Sequence, residues 1–146
     1  MLNNLLNNCK ITRVHAGGAG VASATPTKCS ILDMSGYKSV CFIAEFGDVL
    51  ATSEVALKIA TADTNDTGAM SLVSGAEVGG TAGVSDYDDK LVILDVTDVG
   101  KQFIECQVFH VTANAPFDSV IAVQYNPVNA PVTQGGTVVL SDTVTA

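Results

Sequence analysis

The chain has no tryptophan, and only 5% of its 146 residues are aromatic. Charge is scarce too: 15% of residues are Asp, Glu, Lys or Arg, against about a quarter in an average soluble domain. Seven of these are basic and fifteen acidic, a net charge of −8. Such a chain is repelled by phosphate backbones and carries no basic stripe, so nucleic acid is not expected as a partner. No apolar run approaches the roughly 20 residues of a membrane-spanning helix, and no membrane partner is expected. The opening MLNNLLNNCK lacks the basic start and long apolar stretch of a secretory signal, which implies folding in a reducing cytosol. Cys9, Cys29, Cys41 and Cys106 are scattered without C-x-x-C spacing, which argues against zinc and thioredoxin-type chemistry. Cys41 in SVCFIAEF and Cys106 in FIECQVF read as buried free thiols packing as small hydrophobes.

What is present is small and β-prone. Hydrophobic residues make up 47% of the chain, mostly Val, Ala, Ile and Leu, enough for one domain with one core. A surface so short of charge suits a subunit that covers itself in an assembly. Strand signals recur in KITRVHA, CSILDM, SVCFIAEF, EVALKIA, KLVILDV, QFIECQVFHVT and SVIAVQYNP. In EVALKIA, Val55, Leu57 and Ile59 alternate with Glu54, Ala56 and Lys58, the period of a half-buried strand. GGAGVASATPTK reads as a flexible or extended connection. The excursion from Thr61 to Asp89 reads mostly as loop, with room for one short strand or edge. Some eight short strands without a long helix predict an all-β, antiparallel β-sandwich of jelly-roll type. An N-terminal arm and first strand occupy residues 1–28, the sandwich core 29–127, and an extended C-terminal tail 128–146.

Reactive constellations are thin. His15 and His110 are the only histidines, and four residues along a strand separate Cys106 from His110 by about 13 Å. DTNDTG (63–68) has the opening of a calcium loop, but Ser74 stands where a bidentate glutamate belongs, and an Asx turn is expected. Asp86, Asp88 and Asp89 in SDYDD read as a solvated loop, and GGAG lacks the helix and lysine of a phosphate cradle. No catalytic, cofactor or metal site is therefore expected, and the chain is read as no enzyme. A glycan-binding module needs exposed aromatics, and Tyr37, Tyr87 and Phe117 fall in expected loops or turns. The two ends carry apolar side chains too exposed for a monomer. Leu2, Leu5, Leu6, Pro131, Val138, Val139 and Leu140 are the expected contacts with a neighbouring subunit or capsid.

Four stretches resemble a family of small structural proteins of tailed bacteriophages: ILDMSGYKSVCFIAEFG, ALKIATADTNDTGAMSLV, DDKLVILDVTDVGKQFIECQVF and NAPFDSVIAVQYNP. The similarity spans about residues 29–127, and Lys101-Gln102-Phe103 stands where relatives carry a more basic K-R-Y segment. The resemblance implies a virion protein made in the host cytoplasm: a decoration or cement protein on the capsid surface, bracing the shell. Its implied partners are the major capsid protein and itself, as a homotrimer. The alternatives are a head–tail joining or tail protein, or a virion-surface carbohydrate-binding module.

Overall fold

The structure, a computed structural model, describes residues 4–144, so Leu2 lies outside the described residues. It opens on α1 (Leu5–Asn8), a single turn capped by Asn4, whose side-chain oxygen accepts the Asn7 N–H at 2.9 Å. The asparagines that cap this turn also limit it, because their side chains compete for backbone hydrogen bonds. Nine strands follow: β1 (Lys10–His15), β2 (Ser23–Lys28), β3 (Leu32–Asp33), β4 (Tyr37–Phe46), β5 (Glu54–Ala62), β6 (Ser71–Thr81), β7 (Leu91–Val96), β8 (Phe103–Val111) and β9 (Phe117–Pro127). Every pairing is antiparallel.

The strands form two packed sheets. One runs β1-β9-β4-β7 and the other β2-β8-β5-β6, with β3 continuing the β2 edge along β8. Most connections cross from one sheet to the other. Counting β2 and β3 as one interrupted strand leaves eight strands in two four-stranded sheets, the order of a jelly roll. The expected all-β sandwich is thus the observed fold.

Alternation builds the core. On β4, Val40, Phe42, Ala44 and Phe46 point inward; on β5 Val55, Leu57 and Ile59 do; on β8 Ile104, Cys106 and Val108; on β9 Val120 and Ala122. All are at most 1% exposed. Each large side chain taken fully from water contributes about 1.5–3 kcal/mol before chain ordering is subtracted. Phe46 closes one end against Phe117 and Tyr87, at ring separations of 6.1 and 6.3 Å. Buried polar atoms are used as ties: the Gln124 amide donates to the Asp33 carbonyl at 2.8 Å, joining β9 to the opposite sheet. The Ser53 hydroxyl donates to the Ala113 carbonyl, also at 2.8 Å.

Two segments differ from the sequence expectation for one reason. The excursion after β5 contains β6, an eleven-residue strand, and the GGAGVASATPTK connection contains β2. Both are edge strands without a single buried residue, so their small and polar composition resembles loop. Gly17 and Gly20 do have a structural task. Both have positive φ, and the chain there crosses so close to the start of β9 that a Cβ on Gly20 would sit 1.8 Å from the Ala115 carbonyl oxygen.

The C-terminal segment folds back along the free edge of β1. Gln134 accepts the Ile11 N–H at 3.0 Å and donates to the Leu6 and Cys9 carbonyls at 3.0 and 2.8 Å. The Thr137 hydroxyl accepts the Arg13 N–H, and the Val132 N–H reaches the Asn7 carbonyl. Side chains thus satisfy the outward amides of β1, which blocks strand addition at that edge. The final run TVVLSDTV, β-prone by composition, forms no strand among its described residues.

Two outcomes follow for unfolding and exchange measurements. Gly20→Ala should destabilise by about 2 kcal/mol or more in urea unfolding, whereas Gly18→Ala, with nothing within 4 Å, should be close to neutral. Gln134→Ala removes three hydrogen bonds and should cost about 1–3 kcal/mol. Hydrogen exchange would then show the Ile11 amide losing protection while amides bonded to β9 keep theirs.

Candidate functional site

The residues with reactive chemistry are kept apart by the fold. The His15 ring nitrogen Nδ1 accepts the Gly17 N–H at 3.0 Å, and its ring packs 5.2 Å from Phe117. The His110 Nε2 meets the Thr27 hydroxyl at 2.8 Å. Neither histidine bonds a carboxylate or a thiol among the described residues. Cys106 lies against Cys29 instead. In the 63–70 loop, Asp66 accepts the Gly68 N–H at 2.8 Å, the expected Asx turn, and Asp63 is paired with Lys101. Asp86 and Asp88 each brace a loop, accepting the Gly83 N–H at 2.8 Å and the Val49 N–H at 3.0 Å. No group of three or more His, Cys, Asp or Glu among the described residues is gathered to hold a metal ion.

The outer face of the β2-β8-β5-β6 sheet is polar and partly covered by its own chain. Glu105 and Gln107 point outward from β8, yet both are buried. The Glu105 carboxylate accepts the Gln107 amide at 2.8 Å and the Thr67 hydroxyl at 3.3 Å, so the β5–β6 connection caps it. Beyond this cap an open cleft of about 550 Å³ lies over β5, β6 and β8. Of its charges, Lys58 bridges Glu77 at 2.8 Å and sits 4.9 Å from the Phe109 ring centre, and Glu54 stands exposed at its edge. The cleft offers a ring and an ion pair, without an acid, base and nucleophile at mutual reach.

The outer face of the β1-β9-β4-β7 sheet is different in kind. Strand register sets its side chains in rows: Ile11, Val123, Cys41 and Asp95; then Arg13, Ile121, Ile43 and Ile93; then Ser119, Glu45 and Leu91. Seven of these eleven are apolar. Leu91 and Ile93 are 57% and 51% exposed, and the other apolar members are half-buried only by each other and their neighbours. Three charges belong to the face: Arg13 on β1 at one side, Asp95 on β7 at the other, and Glu45 at the end of β4 between them. Tyr125 crosses the upper end of the face and donates its hydroxyl to Asp95 at 2.7 Å, and this bond chiefly pushes the phenol's pKa up. Partial burial, with Asp95 nearby, raises the Cys41 thiol. This face was hidden in the sequence inside runs such as SVCFIAEF and SVIAVQYNP, which read as core throughout. Their clue is that they are apolar on both parities, so a sheet with one face in the core must show the other half.

The residues expected as contacts from the sequence do not form one surface. Leu5 is exposed on α1. Leu6, Pro131 and Val138 line a groove of about 700 Å³ between α1 and the returning tail, where Leu6 and Val138 are half-buried and Pro131 is exposed. Val139 and Leu140 stand in solvent at 91% and 90% exposure. Leu6 and Val138 are therefore half-buried between the two ends of one chain, while Leu5, Pro131, Val139 and Leu140 stay exposed. The aromatics expected in loops also move: Phe117 is buried on β9 and Tyr87 packs edge-on against Phe46, so with Tyr37 half-buried at the start of β4 they form no exposed stacking platform.

No protein-family model matches the chain, and neither does any curated protein sequence. Solved structures of related shape include the SPBc2 prophage-derived protein YomS, at 13% identity and a TM-score of 0.46, covering 84% of this chain and 98% of that one. The receptor binding domain of the spike protein P1 from bacteriophage PM2 is similar at 12% identity and a TM-score of 0.44, covering 77% of this chain and 92% of that one.

Proposed function

We propose that the chain is a non-enzymatic structural protein of a phage particle, a homotrimeric decoration protein on the outer face of the capsid. The observation that carries the assembly part of this reading is the apolar outer face of the β1-β9-β4-β7 sheet. Leaving Leu91 and Ile93 exposed and five further apolar side chains half-exposed is costly, and burying them against a second copy would remove that cost. The charges suit such a contact. Arg13 marks the β1 side of the face and Asp95 the β7 side, so the β1 side of one copy complements the β7 side of the next. A contact between two different margins is heterologous, and a rotation of one third of a turn per copy would close it into a trimer. The capsid assignment rests on the resemblance of residues 29–127 to tailed-phage structural proteins. Leu5, Val139 and Leu140, free on the monomer, are then available to the major capsid protein. Many identical weak contacts, repeated by symmetry, brace the shell without any one interface being strong.

Light scattering on the purified protein should give the mass of three chains, and Ile43→Lys should give a folded monomer with unchanged β-sheet circular dichroism. In the wild type Cys41 should then react with a maleimide at least about tenfold more slowly than in the Ile43→Lys monomer, because the assembled face excludes the reagent. A wild-type monomer would end the self-assembly reading. Copy number in purified particles tests the location. A ratio to the major capsid protein near one, or one third, is expected. A handful of copies would move the protein to the neck or tail, and absence from particles would sink the virion reading.

A further inference from the structure

The four cysteines are not equivalent. Cys9 is buried near α1 and Cys41 faces outward from β4, whereas Cys29 and Cys106 meet in the core. The β2–β8 register pairs Thr27 with Val108 and Lys28 with Gln107. One residue further, Cys29 lies opposite Cys106, and its N–H donates to the Cys106 carbonyl at 2.9 Å. Both side chains point into the sandwich, at 4% and 0% exposure. Opposed residues of an antiparallel pair have Cα atoms about 4.5–5.5 Å apart, inside the range a disulfide requires.

We propose that Cys29 and Cys106 form a cross-strand disulfide when the folded protein passes from a reducing to an oxidising medium. The reaction with a low-molecular-weight disulfide proceeds in two exchanges. One cysteine thiolate attacks the reagent, forming a mixed disulfide and releasing one small thiol. The second cysteine then attacks the protein sulfur and releases the other. Two S–H bonds are lost, one S–S bond forms within the protein, and two electrons and two protons pass to the reagent, which leaves as two thiols.

Access comes from the edge. β2 is an outer strand with an irregular register between Ser23 and Thr27, and it contains Pro26, which has no N–H to bond. An edge of this kind opens locally at far lower cost than the centre of a sheet. The hydrogen bond to Cys29, and then burial, push the Cys106 thiol well above its ordinary value, so the exchange is slow at neutral pH and speeds up as pH rises. Once formed, the bond links strands 77 positions apart, 29 to 106, and is sealed in the core. It does not depend on the assembly reading, because both thiols lie inside one chain.

The test uses the purified, fully reduced protein held with oxidised glutathione at pH 8, then acid-quenched, unfolded and alkylated. Two of the four thiols should escape alkylation, peptide mapping should join 29 to 106, and the melting temperature should rise by roughly 10 °C. Cys29→Ser should abolish the protected pair, and Cys41→Ala, which leaves the pair intact, should retain it. Low urea should accelerate the reaction by opening the edge. Four alkylatable thiols after prolonged treatment in low urea would overturn the proposal. So would a link to Cys9 or Cys41, or an adduct that stops with glutathione on one cysteine.

Discussion

The nine-residue pairing of β5 with β8 is the contact on which the rest of the sandwich depends. It sets Leu57 beside Val108 and Ile59 beside Cys106, so both strands present one continuous apolar row to the opposite sheet. A slip of one residue would turn that row to solvent and bring Lys58 and Glu105 inward, which no core of this size tolerates. Because β8 lies between β5 and the β2–β3 edge, its register also fixes where Cys29 meets Cys106. Likewise Gln124 reaches the carbonyl of Asp33 only because β3 is held on β8.

A two-sheet sandwich leaves four edges, and this chain manages most of them by different means. The returning tail covers β1 through Gln134 and Thr137. Pro26 interrupts the donors of β2, and a register shift with positive-φ Gly75 and Gly79 breaks the regularity of β6. At β7, Leu91 and Ile93 point outward beside Asp95 without a cover. The exposed margin of β7 is continuous with the apolar sheet face, so the least protected edge and the most apolar surface coincide.

The two outer faces differ for a reason visible in their side chains. On β8 the outward residues Glu105 and Gln107 are polar, and the chain folds its own 63–70 loop over them. On β4 and β9 the outward residues are Ile43, Ile121 and Val123, apolar and only half-buried. One face is capped within the chain; the other keeps its apolar rows at the surface.

Much of the fold was legible in the sequence because alternation is a local signal. Val55, Leu57 and Ile59 announced β5, and the apolar runs around Phe42, Ile93, Val108 and Val120 located β4, β7, β8 and β9. β2 and β6 were only partly legible, the one as an extended connection and the other as loop with room for a short strand or edge, because neither strand has a buried residue to set an apolar pattern. The terminal contacts were only partly legible: the sequence marked Leu6 and Val138 as apolar ends needing cover, but not that both line one groove between the ends of the chain. By itself the sequence determined the β class, the scarcity of reactive groups and the inward rows, because those depend on composition and period. Only the tertiary structure decided that seven of the apolar residues share an outer face and that two distant cysteines stand opposed. Both follow from register between strands far apart in the chain, which no local pattern encodes.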